Sequence, residues 1–113
     1  MEALVDGFVD LNINGAIKDL CETYYSDDIV MLNEGEVFAS SRVEAWEKQK
    51  EFVDKIASKN IQLISKTIKD NISELVFDYK MITHDNSTVA FKGKHIQRWN
   101  NNKIIHEAYQ SVQ

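Results

Sequence analysis

The side chains best suited to acid–base chemistry lie in two stretches near the end of the chain. The first is Val89-Ala-Phe-Lys-Gly-Lys-His-Ile-Gln-Arg-Trp99. Alternate side chains of a strand point to opposite faces. Val89, Phe91, Gly93, His95, Gln97 and Trp99 therefore share one face, and Ala90, Lys92, Lys94, Ile96 and Arg98 share the other. One face is apolar and the other mostly cationic, yet the apolar face carries a histidine and a glutamine. Buried polar groups need partners, so this pair predicts a polar network or a lined cavity. An ordinary imidazole titrates near 6.5, which suits a general base or acid at neutrality. His95 is thus the leading catalytic candidate, and the bland alternative is a core histidine bonded to a tyrosine hydroxyl or a backbone carbonyl. Gln97 either orients a ligand carbonyl or bonds His95.

The second stretch is the last strand, about Lys103 to Val112, with Glu107 and Tyr109. Two registers compete. An odd register turns Ile105, Glu107, Tyr109 and Ser111 inward, which would set Glu107 beside His95 as an acid–base pair. An even register buries Ile104, Ala108 and Val112 instead, and the hydrophobic pattern alone leans that way. His106 lies opposite Glu107, and His84 falls in a turn. Tyr25, Trp46, Phe77, Tyr79 and Trp99 read as core, or as aromatic walls with polar tips around a ligand.

Several classes of chemistry lack their signatures. There is no glycine-rich phosphate loop, nucleophile elbow or metal-binding histidine pair. Asp27-Asp28 and Glu34-Gly-Glu36 lack the spacing of a cation loop, so neither a metal nor a cofactor is expected. Cys21, the only cysteine, excludes an intrachain disulfide and a thiolate cluster. It sits on an apolar helical stripe, where a free thiol behaves as a small hydrophobe. No apolar run reaches the roughly 20 residues of a membrane span. Glu2 and Asp6 in the first turns differ from the basic leader of a secretory signal, and a cytoplasmic location is the expectation. Residues 1–40 hold nine acids against Lys18 alone, whereas residues 41–113 hold twelve bases and nine acids. The bases are dispersed and the whole chain is at −5, which argues against nucleic-acid binding.

The elements that must position these residues follow from periodicity. At 113 residues the chain is one domain, residues 1–113. Leu4, Val5, Phe8 and Val9 predict a first helix, interrupted at Asn12-Ile-Asn-Gly15, where Asn14 can cap the next. Ile17, Leu20, Cys21, Tyr24 and Tyr25 predict a second helix ended by Ser26-Asp-Asp28. Ile29-Val-Met-Leu32 reads as a buried strand, and Val37-Phe38-Ala39 as a brief one. Ser41 and Glu44 have capping-box spacing and open a third helix. Its stripe is Val43, Trp46, Val53, Ile56 and Ala57, with Phe52 at its edge, fading near Ser58-Lys-Asn60. Ile61–Lys69 is a strand of ambiguous register. Leu75, Phe77, Tyr79 and Met81 alternate cleanly with polar residues. His84-Asp-Asn-Ser87 and Asn100-Asn-Asn102 are hairpin turns. Helices first and an antiparallel meander last define an α+β domain.

Tyr24-Tyr-Ser-Asp-Asp-Ile-Val30, the Asn14-Gly15 turn, Arg42–Phe52 and Trp99-Asn-Asn-Asn-Lys-Ile-Ile105 together resemble the nuclear transport factor 2-like superfamily (cystatin-like fold), in its SnoaL-like and ketosteroid-isomerase-like branch. The resemblance spans nearly the whole chain. It implies three N-terminal helices packed in the concave face of a strongly curved, mostly antiparallel sheet, a cone with a central pocket. It also implies a homodimer through the outer sheet face, where Val76, Ile82 and Ile96 lie among charges of both signs. The isomerase general-base aspartate would fall on Asn33, which cannot take a proton. The oxyanion-hole tyrosine would fall on Val9 and its partner acid on His95. Arg98 lies on the wrong face for epoxide hydrolysis. The SnoaL-like pattern places inward acid–base groups at Glu107 and Tyr109. The implied function is a pocket for a small, largely apolar molecule, with proton transfer or dehydration at His95 and Glu107. Tyr25, Asn33, Trp46, Phe77, Tyr79, Gln97, Trp99 and Tyr109 would bind the ligand. The competing expectation is a non-catalytic ligand-binding or dimerisation module. A third is a partner-binding subunit that uses the acidic helices.

Overall fold

The computed structural model describes all residues, Met1–Gln113. Three helices precede most of the sheet: α1 (Glu2–Ile13), α2 (Ile17–Tyr24) and α3 (Arg42–Val53). The strands are β1 (Tyr25–Asn33), β2 (Glu36–Ala39), β3 (Ile56–Lys69), β4 (Ile72–Thr83), β5 (Thr88–Asn100) and β6 (Lys103–Val112). They form one six-stranded sheet in the order β2-β1-β6-β5-β4-β3. Every pairing is antiparallel except β1 with β6. This is the expected α+β architecture, with the helices against one sheet face.

Local chemistry accounts for most element ends. Gly15 has φ +72°, a left-handed turn between α1 and α2 that favours glycine. Asn14 ends α1, with its N–H on the Asp10 carbonyl at 3.1 Å, while Ala16 precedes α2 without a side-chain cap. The capping role expected of Asn14 is therefore not used. Ser41 Oγ accepts the Glu44 N–H at 3.1 Å, and the Glu44 carboxylate accepts the Ser40 N–H at 2.7 Å. Asn101 and Asn102 both take positive φ, 50° and 66°, as a two-residue hairpin turn demands.

The third helix departs from its expected stripe. Ala45 is fully buried, whereas Val43 and Phe52 are exposed. The helix ends at Val53, and Ile56 and Ala57 belong to β3. Pairing of β3 along β4 as far as Thr83 satisfies these backbone groups, and that outweighs a helical continuation with only weak apolar spacing. Tyr25, expected on the second helical stripe, instead starts β1, and Ser26-Asp-Asp28 follows it within the strand just beyond the end of α2.

Two strands change face partway. In β3 the inward set is Lys59, Ile61 and Leu63, opposite Met81, Tyr79 and Phe77; after a bulge at Ile64 it becomes Lys66 and Ile68, opposite Leu75 and Ser73. Lys66 then meets Glu2 at 3.1 Å and Asp6 at 2.7 Å on α1. In β6, Ile104 pairs Trp99, but His106 already pairs Arg98. Ile105 is the extra residue, and such bulges bend a strand and raise its twist. Ile104 is fully buried and so is Glu107, so neither competing register of this strand holds throughout. β4 and β5 pair without interruption over Ile72–Ile82 and Thr88–Arg98.

The core lies between sheet and helices. Val5, Phe8 and Val9 from α1, Leu20 and Cys21 from α2, and Ala45 from α3 pack with Tyr25, Ile29, Leu75, Phe77, Trp99 and Ile104. No helix is long and apolar enough to cross a membrane.

Candidate functional site

Residues His95, Gln97 and Trp99 of β5 face the helices, as their alternation predicts, and the β6 bulge brings Glu107 and Tyr109 to the same face. Gln97 pairs Glu107 and His95 pairs Tyr109 across the ladder. Glu107 is buried, and a buried carboxylate must be hydrogen-bonded to persist as an ion. Tyr25 Oη donates to its Oε1 at 2.9 Å, and Gln97 Nε2 donates to its Oε2 at 2.6 Å. The bonds continue outward: Ser73 Oγ donates to Gln97 Oε1 at 2.8 Å, and Trp99 Nε1 donates to Ser73 Oγ at 2.9 Å. Trp99, Ser73 and Gln97 thus orient one carboxylate oxygen.

His95 forms the second half of this arrangement. Its Nε2 lies 2.8 Å from Tyr79 Oη, and Asn12 Nδ2 donates to the same oxygen at 3.1 Å. An amide nitrogen can only donate, so the tyrosine hydroxyl hydrogen is free to turn to Nε2. The ring hydrogen then sits on Nδ1, which makes no hydrogen bond but lies 3.6 Å from Glu107 Oε1. At that distance the contact is electrostatic. An Nδ1–H is favoured there because a bare lone pair would face a carboxylate. Phe77 and Tyr109 meet the ring edge-to-face at 5.5 and 5.3 Å between centroids.

The ionisation states follow from burial and these partners. For Glu107, burial pushes the carboxyl upward, but His95, Gln97 and Tyr25 together outweigh it and hold the group below the usual carboxylate range. Burial, then the neighbouring Glu107 charge, pushes Tyr25 well above the ordinary phenol value, so Tyr25 remains a donor. Tyr79 is also raised, chiefly by burial. The Cys21 thiol is pushed up to about 12 by burial and by Glu107 and Glu22, which leaves no reactive thiolate.

A cavity of about 150 Å³ opens beside this cluster. Five of the expected site residues line it: Tyr25, Asn33, His95, Glu107 and Tyr109. The other five do not. Phe77, Gln97 and Trp99 are buried behind the wall, Tyr79 reaches His95 from its far side, and Trp46 packs half-buried against the core. The sequence reading missed Phe8 and Asn12 of α1, Ile17 and Leu20 of α2, Met31, Leu32 and Phe38 of the β1–β2 hairpin, and Gln49 of α3. Asn12 carried a usable signal. It stands at i+7 from Val5 and i+4 from Phe8, so it extends an apolar stripe with an amide. The lining grades from exposed Asn33 and half-buried Leu32, Phe38, Gln49 and Tyr109 to buried Tyr25, Glu107, Phe8 and Leu20.

No protein-family model and no curated protein matches the chain. Solved structures do. A candidate SnoaL-like polyketide cyclase from Mesorhizobium loti superimposes with a TM-score of 0.79 at 16% identity, over 96% of this chain and 97% of its own. An NTF2-like protein of unknown function from Exiguobacterium gives 0.76 at 18% identity, over 97% and 98%. Another of unknown function from Burkholderia pseudomallei gives 0.81 at 8% identity, over 98% and 89%. The chain therefore has the nuclear transport factor 2-like fold shared by SnoaL-like proteins.

Proposed function

We propose that this protein binds a small, largely apolar, single-ring molecule in the cavity, with the ligand's polar group directed at His95 and Glu107. One observation carries the reading. A carboxylate held ionised forms part of the wall of a mainly apolar cavity, beside an imidazole nitrogen that has no hydrogen bond. Size sets the class of ligand. An apolar cavity of about 150 Å³ is known to take benzene, while pockets for drug-sized ligands start near 300 Å³. A fused polycyclic ligand therefore does not fit without movement of the walls. Asn33, Gln49 and Tyr109 stand at the more exposed end, and Tyr25 closes the inner one.

The same pair supports proton transfer next to a carbonyl, or dehydration. If His95 took a proton, its Nδ1–H would face Glu107 and its Nε2–H would find Tyr79 Oη, so both ring hydrogens would have acceptors. Thermal-shift screening of single-ring ligands against wild type and His95→Ala tests the binding reading. We expect ligands that raise the wild-type Tm to do so less in the variant. Equal shifts in both proteins would remove His95 from the site, and no shift with any ligand would sink the reading. Loss of carbon-bound deuterium from a bound ketone, followed by NMR, separates catalysis from binding alone.

The outer sheet face fits a homodimer. Half-buried Val76 and Ile96 and exposed Ile82 lie among Asp78, Lys80, Lys92 and a Glu74–Lys94 pair at 3.5 Å. Apolar residues among both charge signs allow self-complementary packing. Light scattering of wild type and Val76→Asp measures it: a dimer that becomes a monomer supports the interface, and a monomeric wild type removes it. A cytoplasmic setting fits the single reduced, buried Cys21.

A further inference from the structure

We infer that the cavity selects neutral ring molecules bearing a hydrogen-bond donor and rejects ring carboxylates; this rests on the ligand-binding reading above. Three observations carry it. First, Glu107 receives short hydrogen bonds from two neutral donors, Tyr25 and Gln97. These stabilise its charge without neutralising it. Second, no lysine or arginine lines the cavity, and the one wall group able to become cationic is His95. A bound anion would meet a like charge in a poorly screened space with no counter-ion, which is strongly unfavourable at contact distances.

Third, the inner end of the cavity presents a carboxylate, Glu107, as its acceptor. A carboxylate offers about four lone-pair positions and no donor. Two are filled by Tyr25 and Gln97, and His95 Nδ1 approaches a third at 3.6 Å. The Tyr25 hydroxyl hydrogen is already committed to Glu107. A ligand hydroxyl or amide N–H can therefore complete the carboxylate's shell, whereas an acceptor-only ligand leaves it incomplete and finds beside it only the His95 Nδ1–H, which already faces the Glu107 charge. Ligand discrimination thus depends on the same side chain that the β6 bulge turns inward.

Four probes of matched shape separate the possibilities: benzamide against benzoate for charge, and phenol against toluene for the donor. Each is titrated into the intact protein at pH 8, above the ordinary imidazole range, with binding followed by calorimetry and by the Met31 methyl resonance. Benzamide should bind at least about tenfold more tightly than benzoate, and phenol more tightly than toluene. Glu107→Gln should bring benzoate to within a few-fold of benzamide. Benzoate binding as well as benzamide, or toluene as well as phenol, would overturn the selectivity while leaving the ligand cavity intact. Failure of all four probes to bind would overturn both. If Glu107→Gln does not fold, the wild-type comparisons decide the matter alone.

Discussion

Replacing Glu107 by glutamine keeps the shape of the side chain and removes its charge, so it isolates what the buried carboxylate contributes to stability. Both oxygens of Glu107 accept hydrogen bonds, at 2.9 Å from Tyr25 and 2.6 Å from Gln97. Bonds to an ionised group contribute about 1.5–3 kcal/mol each, against about 0.5–1.5 for neutral ones. Losing the charge therefore weakens the pair by about 2 kcal/mol together. Relief of the burial penalty returns part of that. Geometry limits the damage as well, because the Tyr25 hydroxyl can reverse and accept from the new amide. The expected net loss is about 1–2 kcal/mol at pH 7, or roughly 5–10 °C in Tm for a domain of this size.

Acidity gives this prediction a sign that shape cannot mimic. The folded-state pKa of Glu107 lies below its unfolded value. Its contribution is therefore fully present above the ordinary glutamate pKa of about 4.3, and is lost as pH falls through the lower folded-state value. Below that point wild type carries a neutral Glu107, and the difference from Glu107→Gln should shrink. Urea unfolding of both proteins at pH 7 and at successively lower pH measures it. A variant more stable than wild type at pH 7, or a gap unchanged throughout acid titration, would refute the assignment of an ionised, well-bonded Glu107.

Four further outcomes follow from contacts in and around the site. Tyr79→Phe removes the partner of both His95 Nε2 and Asn12 Nδ2 and should cost about 1–3 kcal/mol. Long-range proton–nitrogen NMR of wild type above pH 8 should show the hydrogen on Nδ1, and a dominant Nε2–H form would contradict the geometry. Gly93→Ala would drive its Cβ into the Tyr109 ring, so the ring must swing from the cavity wall. Overpacking of this kind costs about 1–3 kcal/mol, more than the usual benefit of removing a strand glycine, and a stabilised variant in urea would be the opposite result. Cys21, with its thiol pushed up to about 12, should react with a disulfide reagent only on unfolding, and rapid labelling of the native protein would be the opposite result.

Strands β4 and β5 show where sequence alternation suffices. Leu75, Phe77, Tyr79 and Met81 on one, and Gly93, His95, Gln97 and Trp99 on the other, face inward as their period of two requires, because their pairing runs unbroken. The order of elements, the helix-opening pair Ser41 and Glu44, and the asparagine turn at residues 101 and 102 were legible for the same reason. Each is local chemistry between neighbours in the chain.

The two strands whose register is ambiguous in the sequence, β3 and β6, carry bulges at Ile64 and Ile105. A bulge adds one residue and reverses the parity of everything beyond it, so Ile104 and Glu107 can both point inward although no single alternation allows it. Nothing in the residue types of β6 marks Ile105 as the extra one; that depends on its pairing with Arg98 and Trp99 across the sheet. The sequence by itself therefore determined the α+β class, the inward His95 and Gln97, and the need for a polar partner. Tertiary structure alone decided that the partners are Tyr79 for His95 and Glu107 for Gln97, that Asn12 joins them from α1, and that Trp46, Phe77 and Trp99 stay out of the cavity wall. The physical reason is that alternation reports which face a side chain takes, whereas strand pairing and helix placement decide what stands opposite it.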